Sequence, residues 1–259
     1  MKKDTTRQAV NVVALIAVIA VNALANALPL NGQTTGEISD RFDVYFVPAG
    51  YVFSIWGLIY LALGAFAVYQ ALPGQRSNPR LRRVGYLFAL SCVANVAWLF
   101  LWHYERFPLT MVAMGALLLL LIAITLRLGT GRTHVTTAET WCVRVPFSIY
   151  LGWVTVATIA NASSLLDYLN WGAWGISPQV WTLIMLVVAT GIASVVVLTR
   201  RDVAYGLVIV WAFAGIAVKH GGTPLVATAA WVTTALVAVV TALVAWLATR
   251  RGPAPARVA

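Results

Sequence analysis

The side chains best equipped for chemistry in this sequence are indoles, phenols and carboxamides, set at helical spacing in three apolar runs. The first run, Val47 to Tyr69, begins with Pro48 and carries Tyr51, Phe53, Trp56, Tyr60 and Phe66. Trp56, Tyr60 and Gly64 are four apart and share a helix stripe, which sets two rings beside a point of close approach. The second run holds Asn95 and Trp98, followed by Trp102 and His103. The third holds Tyr150, Trp153, Ala157, Thr158 and Asn161, with Trp153, Ala157 and Asn161 again four apart. Ring faces of this kind stack on flat, polarizable ligands. A carboxamide in hydrocarbon is costly unless it is bonded, so Asn95 and Asn161 are expected to face protein. Each then acts either as glue between helices, worth about 0.6 kcal/mol, or as an orienter of a ligand's polar edge. For the set taken together, a pocket is the stronger reading.

Covalent chemistry is poorly served. His103, His134 and His220 fall at loop edges, far apart in sequence, where a solvated imidazole is a simpler reading than an axial haem ligand. No Asp-x-x-x-Asp pair occurs, and Cys92 and Cys142 lack metal-ligand spacing, so they read as small core residues. Lys219 ends an apolar run, where snorkelling accounts for it. Trp102, Trp171, Trp174 and Trp181 stand at span ends and are expected to anchor at the interface. No catalytic residue, metal or required cofactor is assigned.

The elements that must position these groups are membrane helices. Of 259 residues, 61% are hydrophobic and 10% charged, with mean hydropathy +0.83; a soluble domain carries about 25% charged residues. Apolar segments near 9–29, 48–71, 83–102, 108–128, 144–165, 179–199, 203–219 and 224–248 each approach the ~20 residues needed to span a bilayer. The expected fold is therefore an all-α polytopic bundle of about eight spans. The first segment is too long for a signal-peptide core of ~7–15 residues. The net charge of +10 sits in alternate short loops rather than on one soluble face, which excludes nucleic acid as the partner. With the N-terminus inside, only Arg41, Arg106 and Lys219 fall outside, so the positive-inside rule places both termini in the cytoplasm. The last three segments are poorer in aromatics, which suggests a division into 1–175 and 176–250. The basic, Pro-rich tail 251–259 is expected to be disordered.

The stretches Pro48–Gly64, Asn95–Trp98 and Tyr150–Asn161 resemble the signature helices of the TspO/MBR family, the tryptophan-rich sensory proteins and translocator-protein relatives. The resemblance rests on Pro48, Tyr51, Phe53, Trp56, Tyr60 and Gly64, on Asn95 and Trp98, and on Tyr150, Trp153, Ala157, Thr158 and Asn161. It covers roughly the first two thirds of the chain, with the helices in matching order. There are departures. A family Pro-Pro pair is Pro48-Ala49, Tyr51 replaces a usual Trp, and Pro146 is displaced from its place before Tyr150. The gap from Phe53 to Trp56 is one residue short, which on an ideal helix turns Trp56 by ~100°. Three further helices follow the family's five.

The resemblance implies a five-helix bundle with an internal cavity that opens on the outer side, under the loop Asn31–Asp43. It implies binding of a porphyrin, haem or other flat hydrophobic ligand by Tyr51, Phe53, Trp56, Tyr60, Asn95, Trp98, Tyr150, Trp153, Ala157 and Asn161. The expected role is that of a ligand-binding sensor or regulator in the cytoplasmic membrane. A transporter of an amphipathic small molecule is the competing reading, although broken helices and charged relays are wanting. A structural subunit whose last three helices dock another membrane protein is a third. Expected partners are the lipid bilayer, a hydrophobic small molecule and, as one possible assembly, a second copy in a homodimer.

Overall fold

The computed structural model describes residues 2–28 and 30–250. The tail 251–259, with Arg251 and Arg257, lies outside the described residues. Every regular element among the described residues is helical: α1 Lys2–Ala27, α2 Thr35–Ser39, α3 Ile55–Ala71, α4 Pro79–Val84, α5 Leu87–His103, α6 Phe107–Leu128, α7 Thr137–Glu139, α8 Val145–Tyr168, α9 Pro178–Arg200, α10 Val203–Lys219 and α11 Pro224–Arg250. A 3₁₀ turn, Gly50–Ser54, leads into α3, and a π-helical turn, Thr140–Arg144, joins α7 to α8. Pro146 stands just past that π turn, where its missing N–H leaves a carbonyl of the preceding turn free.

Local sequence accounts for the helix boundaries. Proline opens α4, α6 and α9 within their first two positions, where its N–H would be unpaired in any case. Ser177 caps α9 and Asp202 caps α10 through their side-chain oxygens. Gly129, at φ 63°, ends α6 in the left-handed region.

Among the described residues, six helical stretches are long and apolar enough to cross a membrane: Lys3–Ala27, Gly50–Ala71, Phe107–Leu128, Thr137–Tyr168, Pro178–Arg200 and Pro224–Arg250. Two shorter apolar helices, α5 and α10, have 17 residues each, at the short end of the spanning range. The chain is a multi-pass membrane protein.

Packing arranges α1, α5, α6, α8 and α3 in a ring, each touching the next and α3 returning to α1. The α4 end of the ring is plugged by Phe66, Phe88 and Phe147, with centroids 4.8–5.7 Å apart and planes 71–83° to one another. There α1 is stapled to its neighbours by Gln8 and Gln70, each donating to the other's backbone oxygen. Arg80 forks onto the buried Glu139 and ties α4 to α7. Outside the ring, α10 lies along α8, and α9 and α11 pack against α10 and each other.

The contact of α10 with the ring is close. A Cβ at Gly152 of α8 would stand 3.2 Å from the Tyr205 carbonyl oxygen. Gly215 of α10 meets Pro48 and Val52, its carbonyl accepts the Ala49 N–H at 3.1 Å, and Trp211 donates its indole N–H to the Val52 carbonyl at 3.1 Å. The segment that starts α3 is therefore set from outside the ring by α10. Gly64 differs from expectation: nothing lies within 4 Å of where its Cβ would be, so it is not a point of close approach.

Candidate functional site

Opposite the phenylalanine plug, at the α2 end, the ring is hollow. An outer chamber of about 590 Å³ lies between the end of α1, α2, the start of α3 and α5. An inner chamber of about 80 Å³ continues toward α6 and α8. Phe53, Trp56 and Trp98 line both chambers, together with Thr35, Ser39 and Pro48. The outer volume falls within the roughly 300–1,000 Å³ typical of small-molecule sites.

The walls are aromatic. Trp56 stacks on Tyr60 at 5.5 Å and 24°, and meets Trp153 edge-on at 6.3 Å and 83°. Phe53 meets Trp153 at 5.6 Å and 85°. Trp98 stacks on Trp102 at 5.4 Å and 20°. Trp56 faces the chambers despite the short spacing because the chain is 3₁₀ through Ser54, where side chains three apart eclipse. Phe53 and Trp56 are such a pair.

Of the residues singled out in the sequence, Phe53, Trp56, Tyr60, Asn95, Trp98, Trp153, Ala157 and Asn161 come together on these chambers. Tyr51 does not. It is exposed on the outside of the ring and meets Trp211 of α10 edge-on at 5.6 Å. Tyr150 stands behind the wall, where its hydroxyl accepts a hydrogen bond from Asn95 at 3.1 Å. Asn95 in turn accepts from Asn22 of α1 at 2.9 Å, so a polar chain runs α1–α5–α8. Asn161 accepts from the Trp98 indole at 2.9 Å and donates to Thr110. Both carboxamides line the cavity and also bind its helices together.

Two polar atoms at the walls have no hydrogen-bond partner among the described residues: the Trp153 indole nitrogen, on the inner chamber, and the Tyr60 hydroxyl, on the outer. Unpaired donors in a dry site are costly. Neither atom has accessible surface in the chambers: both are turned into the surrounding protein.

The short helix α2 covers the opening. Thr34 and Glu37 form a capping box, and two hydrogen bonds from Thr34, the backbone one first, hold the Glu37 carboxyl below its usual range. Ile38 is fully buried and packs with Trp102, Phe107 and Phe42. The Trp102 indole donates to the Thr35 carbonyl at 3.2 Å, and Asp40 pairs with Lys219 of α10 at 3.1 Å. Two expectations change here. Trp102 is not an interface anchor: it is buried, stacked on Trp98, and lines the inner chamber. His103 is not solvated: it has no exposed surface, and its Nδ1 lies 2.8 Å from the Leu99 carbonyl oxygen.

Asn22, Thr35, Ser39 and Trp102 also line the site and were not singled out for it. Asn22 carried the same signal as Asn95, a carboxamide within an apolar run. Thr35 and Ser39 sit in a polar loop and gave none.

Long apolar helices closed around an aromatic chamber define a multi-pass membrane protein with an internal cavity. The chain belongs to the TSPO-like protein family, whose model matches residues 8–243. That match continues through α9 and α10 into α11. No curated protein and no solved structure matches the chain.

Proposed function

We propose that this TspO-type membrane protein binds a flat hydrophobic ligand, of the porphyrin or tetrapyrrole class, in the outer chamber, and works as a sensor or regulator rather than as an enzyme. The observation that carries the reading is the shared wall of Phe53, Trp56 and Trp98. Ring faces bind a macrocycle by stacking. His103 has no exposed surface and is not among the residues lining either chamber, and its Nε2 lies 3.5 Å from Thr35 Oγ1, which favours a stacked macrocycle over haem held by an axial imidazole. The reading includes eight spans in the cytoplasmic membrane with both termini inside, α5 and α10 crossing as the short spans.

The test is titration of the protein in nanodiscs with protoporphyrin while tryptophan emission is followed. Saturable quenching is expected, weakened in Trp56→Ala. Phe53→Ala removes a second ring face of the same chamber and should weaken binding as well. Quenching that fails to saturate, or that is the same in both variants, would overturn the reading.

A further inference from the structure

A second cavity, of about 200 Å³, lies at the α2 end outside the five-helix ring, between the segment after α2, the end of α8 and the start of α9. Its lining combines Tyr45, Trp171 and Trp181 with two carboxylates, Asp43 and Asp167. We propose that this cavity is a binding site for an organic cation of the quaternary ammonium class.

The acidic residues supply the first argument. The chain has eight Asp and Glu against eighteen Lys and Arg, and Asp43 and Asp167 are exposed to solvent at the cavity. Asp4 pairs with Arg7 and Arg82, Asp40 with Lys219, Glu105 with Arg41, and Glu139 with Arg80. Glu37 is held in its capping box, and Asp202 accepts from Ser148 and from the Tyr205 N–H. Asp43 and Asp167 alone have no side-chain hydrogen bond or ion pair among the described residues, and they line the same cavity.

The second argument is the company they keep. Trp171, Trp174 and Trp181 pack at centroid distances of 5.3–5.8 Å with planes 51–76° apart. Trp181 is fixed by its indole N–H, which donates to the Ala173 carbonyl at 3.0 Å, and Tyr45 by the Gln179 amide, which donates to its hydroxyl at 3.2 Å. Immobilised ring faces attract a poorly hydrated cation through their quadrupoles, and nearby carboxylates add charge neutralisation. A divalent metal fits less well. Among the described residues no group of three His, Cys, Asp or Glu gathers anywhere, and calcium calls for six to eight oxygen ligands.

A trimethylammonium group reaches this face from two sources, a free solute such as choline or the headgroup of a phosphatidylcholine. The experiment is calorimetric titration of the full chain in phosphatidylglycerol nanodiscs with choline, and with 3,3-dimethylbutanol, its uncharged isostere. Saturable choline binding with no response to the isostere is expected. Asp43→Asn with Asp167→Asn should weaken choline about tenfold or more, and Trp171→Leu should do likewise. Protoporphyrin quenching, read on the same samples, should stay at the wild-type level and shows that the variants are folded. Short-chain phosphatidylcholine that displaces choline identifies a headgroup site, and failure to displace it identifies a soluble ligand. No saturable choline binding, equal binding of the isostere, or full binding by the double Asn variant overturns the proposal.

Discussion

Trp98 donates its indole N–H to the side-chain oxygen of Asn161 at 2.9 Å, joining α5 to α8 beside the inner chamber. Asn161 places its amide hydrogens on Thr110 Oγ1 and Met111 Sδ, each at 3.0 Å. Its polar capacity is therefore filled by protein. Asn161→Leu would strand the Trp98 N–H in a dry wall, at a cost of about 1–3 kcal/mol, while the Thr110 hydroxyl keeps its bond to the Phe107 carbonyl. A lower unfolding midpoint in detergent is expected, with porphyrin affinity of the folded protein changed less than in Trp56→Ala. A midpoint equal to wild type would show that the bond is dispensable.

The cover over the chambers is held by burial more than by charge. Ile38 has no exposed surface, and Ile38→Ala removes its packing against Trp102 and Phe107, worth about 2–5 kcal/mol for a buried position. Lys219→Ala removes a largely exposed ion pair to Asp40, worth about 0–1 kcal/mol. Hydrogen exchange of the α2 amides should accelerate strongly in Ile38→Ala and little in Lys219→Ala. The reverse order would place the hold in the ion pair.

Gly215 ties the outer three helices to the chamber wall. Its missing side chain lets Pro48 and Val52 sit against α10. Gly215→Val drives a side chain into Val52 and shifts the 3₁₀ turn that aims Phe53. Overpacking of this kind costs about 1–3 kcal/mol. Both a lower midpoint and weaker porphyrin quenching are expected, from a residue that touches neither chamber. Quenching unchanged at saturation would uncouple α10 from the cavity.

The helices were legible because apolar length and loop charge dominate a membrane sequence. The segments read near 108–128, 179–199 and 203–219 fall within a residue of α6, α9 and α10. Trp56, Trp98 and Trp153 were legible as a set because they share helical spacing with Asn or Tyr. Tyr51 was misleading because it matches the family pattern by position, whereas its ring faces outward against Trp211; on an ideal helix, too, it lies roughly 140–180° from Trp56 and Tyr60. Trp102 and His103 looked like span-end residues. They are buried because α2 folds back over them, a contact between residues more than sixty apart that local pattern does not encode. Asp43 and Asp167 are more than a hundred residues apart, and only the folded chain brings them to one cavity.

Asp202 gives a pH test of the junction between α8 and α10. It caps α10 through the Tyr205 N–H at 3.1 Å and accepts from Ser148 Oγ at 2.6 Å, with almost no exposed surface. Burial raises its carboxyl pKa above the ordinary value, against the lowering effect of those two bonds. A carboxyl whose pKa is higher folded than unfolded binds its proton more tightly in the fold, so its contribution to stability increases as pH falls through the folded value. Asp202→Asn keeps the cap and removes the buried charge, and is expected to match or exceed wild type at neutral pH. That advantage should shrink on acidification, because protonated Asp202 is also neutral. Asp202→Ala loses the cap and should fall about 1 kcal/mol below the Asn variant at every pH. Unfolding midpoints of the three proteins between neutral and mildly acidic pH decide the matter, and a gap between wild type and Asp202→Asn that widens on acidification would reverse the sign assigned here.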